Sequence, residues 1–158
     1  MTEFRLFVSH AQIAVFHSDL QNPFNDWTDQ HVAQGFSWRP GSVSFRSLAE
    51  SGVHSISVEV VDRLEPPGAN ALRAVEVPFE VPESGRIEVS SISDTMQLSL
   101  TPGAYLLRCE FLTAGQDEEG RVSLKFSRGD AAHFAISRTD STLKAASELL
   151  TTAEPASA

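Results

Sequence analysis

Val75, Val77, Phe79 and Val81 alternate with Glu76, Pro78, Glu80 and Pro82. A period of two fits an extended strand with one apolar face and no other regular element. Prolines at 78 and 82 cannot donate to a ladder, so the strand is predicted at a sheet edge, where its glutamates would also discourage stray pairing. The same alternation recurs in Phe4, Leu6 and Val8, in Ile13 and Val15, and in Val43 and Phe45. It returns in His54, Ile56, Val58 and Val60, in Ile87 and Val89, in Met96, Leu98 and Leu100, and in Val122, Leu124 and Phe126. Tyr105 to Phe111 is apolar except at Arg108 and Glu110, which predicts a central strand. His133 to Ser137 reads as a last short strand. Pro40-Gly41, Ser51-Gly52, Pro66-Pro67-Gly68, Ser84-Gly85, Pro102-Gly103 and Arg128-Gly129-Asp130 supply turns between these segments. About eight or nine strands with regular turns predict an all-β fold, an antiparallel β-sandwich. The edge prolines argue against a closed barrel, which has no edges. The apolar parity slips at Ser9-His10-Ala11, so a bulge or bend is expected there.

One stretch, residues 25–45, interrupts the strands and holds both tryptophans. Asp26 is a suitable N-cap with Asp29 three residues on, and Gly35 supplies a left-handed stop. A short helix is predicted between them, with Trp27 and His31 on one face. A second short helix is predicted near the C-terminus, capped by Asp140, with Leu143, Ala146 and Leu150 on one face. From Thr151 the residues are small and polar. The expectation is one domain over about residues 1–150 and a disordered tail over 151–158.

A chain of 158 residues with 41% hydrophobic content can bury a core without disulfides or metal. Its formal net charge of −9 disfavours nucleic acid and anionic membranes as partners and favours basic proteins. The single cysteine, Cys109, lies in a predicted strand and reads as a small buried hydrophobe. The N-terminus has no apolar signal core, and no run of about 18 apolar residues occurs. A cytoplasmic location is therefore expected.

Nucleotide loops, a Gly-x-Ser-x-Gly elbow and H-E-x-x-H are all missing from the sequence. His10 and His17 are an odd number of residues apart, which puts them on opposite faces of a continuous strand. His31, close to Asp29, is best read as capping or packing. The sequence thus calls for no catalytic residues, no metal and no cofactor.

Binding is better served. Trp27 and Trp38 are either core plugs at one end of the sandwich or an exposed anchor for a partner. Glu76, Glu80 and Glu83, with Glu88 nearby, form one acidic stripe, and Asp117, Glu118 and Glu119 form a second cluster. Each is either solvated outer surface or an anionic face for a basic partner.

Several segments also match a known pattern. They are Trp27-Thr28-Asp29, Gly35-Phe36, Val43-Ser44-Phe45 and Val77-Pro78-Phe79-Glu80-Val81, followed by Leu100 to Cys109 with its Pro102-Gly103-Ala104-Tyr105 turn. In this order the chain resembles the competence protein J family from about residue 5 to residue 127. The Pro-Gly spacing before Tyr105 departs slightly from that family's pattern. The resemblance implies a nuclease-binding protein without catalytic activity, which inhibits a DNA-entry-type nuclease or a related nuclease toxin. On that reading the partner is a basic nuclease. The residues expected to meet it are Trp27, Asp29, Trp38, Glu76, Glu80, Glu83, Asp117, Glu118 and Glu119, with carboxylates replacing substrate phosphates. A rival reading is a carbohydrate-binding or other ligand-binding sandwich with Trp27 and Trp38 as a stacking platform. A concave groove with coplanar indoles would favour that rival, and a flat acidic face would favour the inhibitor.

Overall fold

A computed structural model describes residues 1–114, 118–145 and 148–157. In chain order the elements are β1 (Thr2–Val8), β2 (Gln12–His17), α1 (Asp29–Gln34), β3 (Phe36–Arg39), β4 (Ser42–Arg46) and β5 (Gly52–Val61). Then come β6 (Ala71–Val81), β7 (Arg86–Ser90), β8 (Thr95–Ser99), β9 (Gly103–Leu112), β10 (Gly120–Ser127) and β11 (Ala135–Arg138). They form a six-stranded sheet in the order β1-β5-β10-β9-β6-β11 and a five-stranded sheet in the order β3-β4-β2-β7-β8. The fold is an all-β sandwich. Every pairing is antiparallel except that of β10 with β5, which is parallel.

The core lies where the inward faces of the two sheets meet. Val75, Val77, Phe79 and Val81 are buried, as their alternation requires, and pack with Ile13, Phe45, Ile56, Leu107 and Phe126. Phe126 takes both the Phe79 and Tyr105 rings edge-on, at 5.9 and 5.8 Å between centroids. Cys109 is fully buried. Burial pushes its thiol well above the ordinary value, and the Glu110 carboxylate adds to this while Arg73 opposes it.

The parity slip at Ser9-His10-Ala11 is more than a bulge. There the chain leaves the six-stranded sheet with β1 and enters the five-stranded sheet with β2. His10 and Ala11 turn the corner with φ of +58° and +54°, a left-handed conformation costly for residues with a Cβ. Two backbone bonds hold it, Ala11 N–H to the Glu50 carbonyl and Ser47 N–H to the Ala11 carbonyl, both 2.8 Å.

The edge-strand expectation holds for half of β6. The other half is interior, because β11 pairs with it at Ala74, Val75 and Glu76. Pro78 stands just past the end of that pairing, so its missing N–H costs the ladder nothing.

Helix α1 ends at Gly35 as predicted, with φ of +88°. Its N-cap is Thr28 and not Asp26: the Thr28 side chain accepts from the His31 amide, and the His31 ring accepts from the Thr28 amide. Cap and counter-cap are thus Thr and His.

The C-terminal segment departs from expectation. Asp140, Leu143 and Leu150 do not lie on a helix; Ala146 falls outside the described residues. The Asp140 carboxylate accepts from the amides of Thr142 and Leu143 and from the buried Arg73 guanidinium, at 2.9 Å. It holds a turn, and the chain beyond runs as a strap across α1. Leu143 packs on Gly35 so closely that a Cβ there would lie 2.8 Å from its side chain. Gln34 exchanges two hydrogen bonds with the Leu150 backbone, each 2.8 Å. The tail expected to fray at 151–158 is docked over its described residues. Asp26 N–H donates to the Glu154 carbonyl and Ala156 N–H to the Phe24 carbonyl, both at 2.8 Å.

Candidate partner-binding site

The two tryptophans do not form one surface. Trp27 precedes α1 and donates its indole N–H to the Gln12 side chain at 3.2 Å. With His10, Gln12, Val32 and Arg46 it lines a hollow of about 290 Å³. Trp38, on β3, donates its indole N–H to the Pro78 carbonyl at 2.7 Å, joining the two sheets. It packs edge-on to Phe134 at 5.0 Å between centroids. Gln12 and His17 are the two ends of β2; Trp27 sits by the first and Trp38 by the second. At about 3.4 Å per residue the strand separates them by roughly 17 Å. The two indoles share no stacking platform, and each has spent its only donor inside the protein.

The open half of β6 is where the surface becomes concave. A hollow of about 520 Å³ lies between the sheets there, lined by His17, Trp38, Pro40, Gly41, Pro78, Phe79, Glu80, Ala104, Tyr105 and Ala132. The carbonyls of Pro78 and Glu80 have no β11 partner. Trp38 caps the first and the His17 Nε2–H caps the second at 2.6 Å. Gly41 makes room for this imidazole, since a Cβ there would sit 3.2 Å from its Nδ1. With its carbonyls capped and no N–H at Pro78, this edge is poorly suited to accept a further strand. What it offers is a cavity with an apolar wall and one carboxylate, that of the exposed Glu80.

The acidic residues separate into four environments. Glu80 is exposed on β6, and Glu83 is exposed in the turn that follows it. Glu76 has the outward parity read from the sequence, but it is only 6% exposed. It is therefore corrected from a surface contact to a structural group. Arg108 donates to one of its carboxylate oxygens at 2.7 Å, and His133 meets the other at 2.7 Å. Arg108 also reaches the Glu65 carbonyl at 2.6 Å and the Glu110 carboxylate at 3.4 Å. Lys125 reaches Glu110 at 3.3 Å. Burial alone would raise the Glu76 carboxyl; hydrogen bonds from Arg108 and His133 and the Arg108 charge outweigh it and hold the carboxyl below its ordinary range.

The second acidic cluster lies elsewhere. Glu118 is exposed, and Glu119 is half-buried and paired with Arg5; Asp117 falls outside the described residues. These residues follow the end of β9 at Leu112, whereas Glu80 pairs with Ala104 near its start. Ten residues of β9 place the two clusters about 30 Å apart, at opposite ends of the sheet. Asp29 is exposed in the first turn of α1, beside Trp27. Of the described residues expected to bind, the fold brings Trp38 and Glu80 to one cavity, with Glu83 close by in sequence. Sequence reasoning missed His17, Ala104 and Tyr105 as cavity walls. The one signal for them was Pro78 within a strand, which marks a place where the ladder stops.

No helix among the described residues is long and apolar enough to cross a membrane. Nor do the described residues contain a cluster of histidine, cysteine and carboxylate side chains suited to a metal. The fold is that of a β-sandwich, and its hollow at the open half of β6 has an apolar wall beside the exposed Glu80. The competence protein J (ComJ) family pattern matches residues 5–129, and the chain belongs to this family. It is 31% identical over 108 residues to the DNA-entry nuclease inhibitor of Bacillus subtilis (strain 168), covering 66% of this chain and 76% of that protein. Its fold is similar to the crystal structure of ComJ, inhibitor of the DNA degrading activity of NucA, from Bacillus subtilis. The TM-score is 0.66 at 22% identity, over 80% of this chain and 95% of the other. The described residues of the strap, 139–145 and 148–157, lie beyond the matched stretch.

Proposed function

We propose that this protein binds a DNA-entry-type nuclease and inhibits it by occluding its active site, without catalysis of its own. The relative's inhibitory role supports this reading, and so does the charge of the chain. A nuclease must hold phosphates with cations, and an inhibitor gains by presenting carboxylates to that groove. The observation that carries the proposal is the exposed Glu80 beside the Trp38 cavity, with Glu83 in the following turn. Among the described residues this is where an expected anchor and an expected carboxylate line one concave surface. Trp27, Asp29, Glu118 and Glu119 belong to other faces, and the carboxylates among them add to the long-range field that draws in a cationic partner.

The test is complex formation between this protein and the DNA-entry-type nuclease of its source organism, followed by calorimetry with and without duplex DNA. Occlusion predicts a 1:1 complex that DNA competes away, with an association rate that falls as salt rises over a Debye length of about 8 to 10 Å. A complex that binds DNA as well as the free nuclease does would contradict occlusion.

A further inference from the structure

We infer that the cavity between the sheets at the open half of β6 is the seat of one arginine side chain from the nuclease. This rests on the nuclease-binding reading and names its anchor. Three features point to that occupant. The cavity is about 520 Å³ and walled by Trp38, Pro78, Phe79 and Tyr105, which offer apolar surface to a long aliphatic stem. Glu80, which lines the cavity and is exposed on the outward face of β6, sets a carboxylate beside its mouth, and no lysine or arginine is among the described residues lining it. A guanidinium suits this combination of apolar stem and planar, carboxylate-seeking head better than a compact ammonium does. The walls are also already fixed. Trp38 is tied to the Pro78 carbonyl, His17 to the Glu80 carbonyl at 2.6 Å, and Tyr105 Oη to the Thr101 carbonyl at 2.6 Å. A preformed cavity spares the cost of ordering its side chains on binding. Buried arginines in such pockets are typical of the few contacts that dominate interface energy.

The test uses the whole protein and the same nuclease. Ala104→Trp adds an indole at an exposed residue of β9 that lines the cavity, to obstruct entry to it. Glu80→Gln removes the carboxylate, and Glu50→Lys is a charge control on an exposed loop outside the cavity. Calorimetric affinities should fall by about tenfold or more for A104W and E80Q, a change that corresponds to about 1.4 kcal/mol. E50K should change the affinity by less than about threefold, as expected of an exposed charge that touches nothing in the contact. In a ¹⁵N-labelled wild-type complex the Trp38 indole N–H resonance should shift while that of Trp27 stays in place. Full affinity of A104W, together with an unmoved Trp38 signal, would overturn the inference while leaving the inhibitor reading intact. Loss with A104W but not with E80Q would replace arginine by an uncharged occupant. If the wild-type protein binds no nuclease at all, the inhibitor reading itself fails.

Discussion

The Trp38 indole N–H lies 2.7 Å from the Pro78 carbonyl, and this one bond links β3 of the five-stranded sheet to β6 of the six-stranded sheet. It closes the sandwich where β11 stops. The indole thus acts as a structural strut and also presents a wall to solvent. Trp38→Phe keeps most of the packing on Phe134 and deletes the donor. It should cost about 1 to 3 kcal/mol, the usual penalty for stranding a hydrogen-bonding partner. Urea melts of the two proteins would measure this, and an unchanged midpoint would show that the strut carries no load.

The inward register of β6 gives a sharper test. Phe79 is 3% exposed and touches His17 and Phe126 edge-on. Phe79→Ala should cost about 3 to 5 kcal/mol, as large-to-small changes in a packed core do. Glu80→Ala, on the outward face of the same strand, should shift stability by no more than about 0.5 kcal/mol. Denaturant unfolding of both variants distinguishes the faces.

The Glu76–Arg108 pair sets a pH dependence. Because the folded Glu76 carboxyl is held below its ordinary range, the stabilisation it supplies is complete above the unfolded value of about 4.3. It is lost as pH falls through the lower folded value. Stability should therefore fall on acidification below about pH 4 to 5, and Glu76→Gln should flatten part of that fall. At neutral pH, Glu76→Ala leaves the buried Arg108 with a poorer set of partners and should cost about 3 to 5 kcal/mol. Thermal melts across a pH series would follow both effects.

The strap makes a fourth prediction. Arg73 is 1% exposed and donates to Asp140, to the Thr142 hydroxyl and to the Arg46 carbonyl. Burial would raise the Asp140 carboxyl, but hydrogen bonds from Arg73 and Thr142 and the Arg73 charge hold it down. Asp140→Ala should cost about 2 to 3 kcal/mol, because hydrogen bonds to a charged group are worth about 1.5 to 3 kcal/mol. Truncation before Asp140 should cost more, since it also uncovers Gly35 and the side chains of Gln34 and His31. Amide exchange along α1 should accelerate in the truncated protein; exchange as slow as in the full chain would show that the strap is not part of the fold.

The sequence was most informative where the physics is local. Alternation revealed which side of β6 faces inward, and Gly35 revealed where α1 stops, because both depend on neighbours along the chain. The N-cap was misplaced because Thr28 is answered by a histidine, where the common capping pattern uses glutamate or glutamine. Glu76 shows the limit of parity. It tells which face a side chain takes, and nothing about what later covers that face, here Arg108, His133 and the Glu65 backbone. The parallel pairing of β5 with β10 joins segments far apart in sequence, and the C-terminal strap is held by Arg73 and α1 more than by its own periodicity. The candidate site was half legible. Trp38 and Glu80 stood out as residue types, and their meeting in one cavity is a product of the way the two sheets close.

The inhibitory role stands or falls on nuclease activity. The direct measurement is DNA degradation by the DNA-entry-type nuclease of the source organism, titrated with this protein at fixed enzyme and substrate. Activity should fall linearly to near zero at one equivalent of inhibitor, and Glu76→Gln, which alters a buried group, should inhibit as well as wild type while it stays folded. Undiminished degradation at a large excess of folded protein would contradict the inhibitory role.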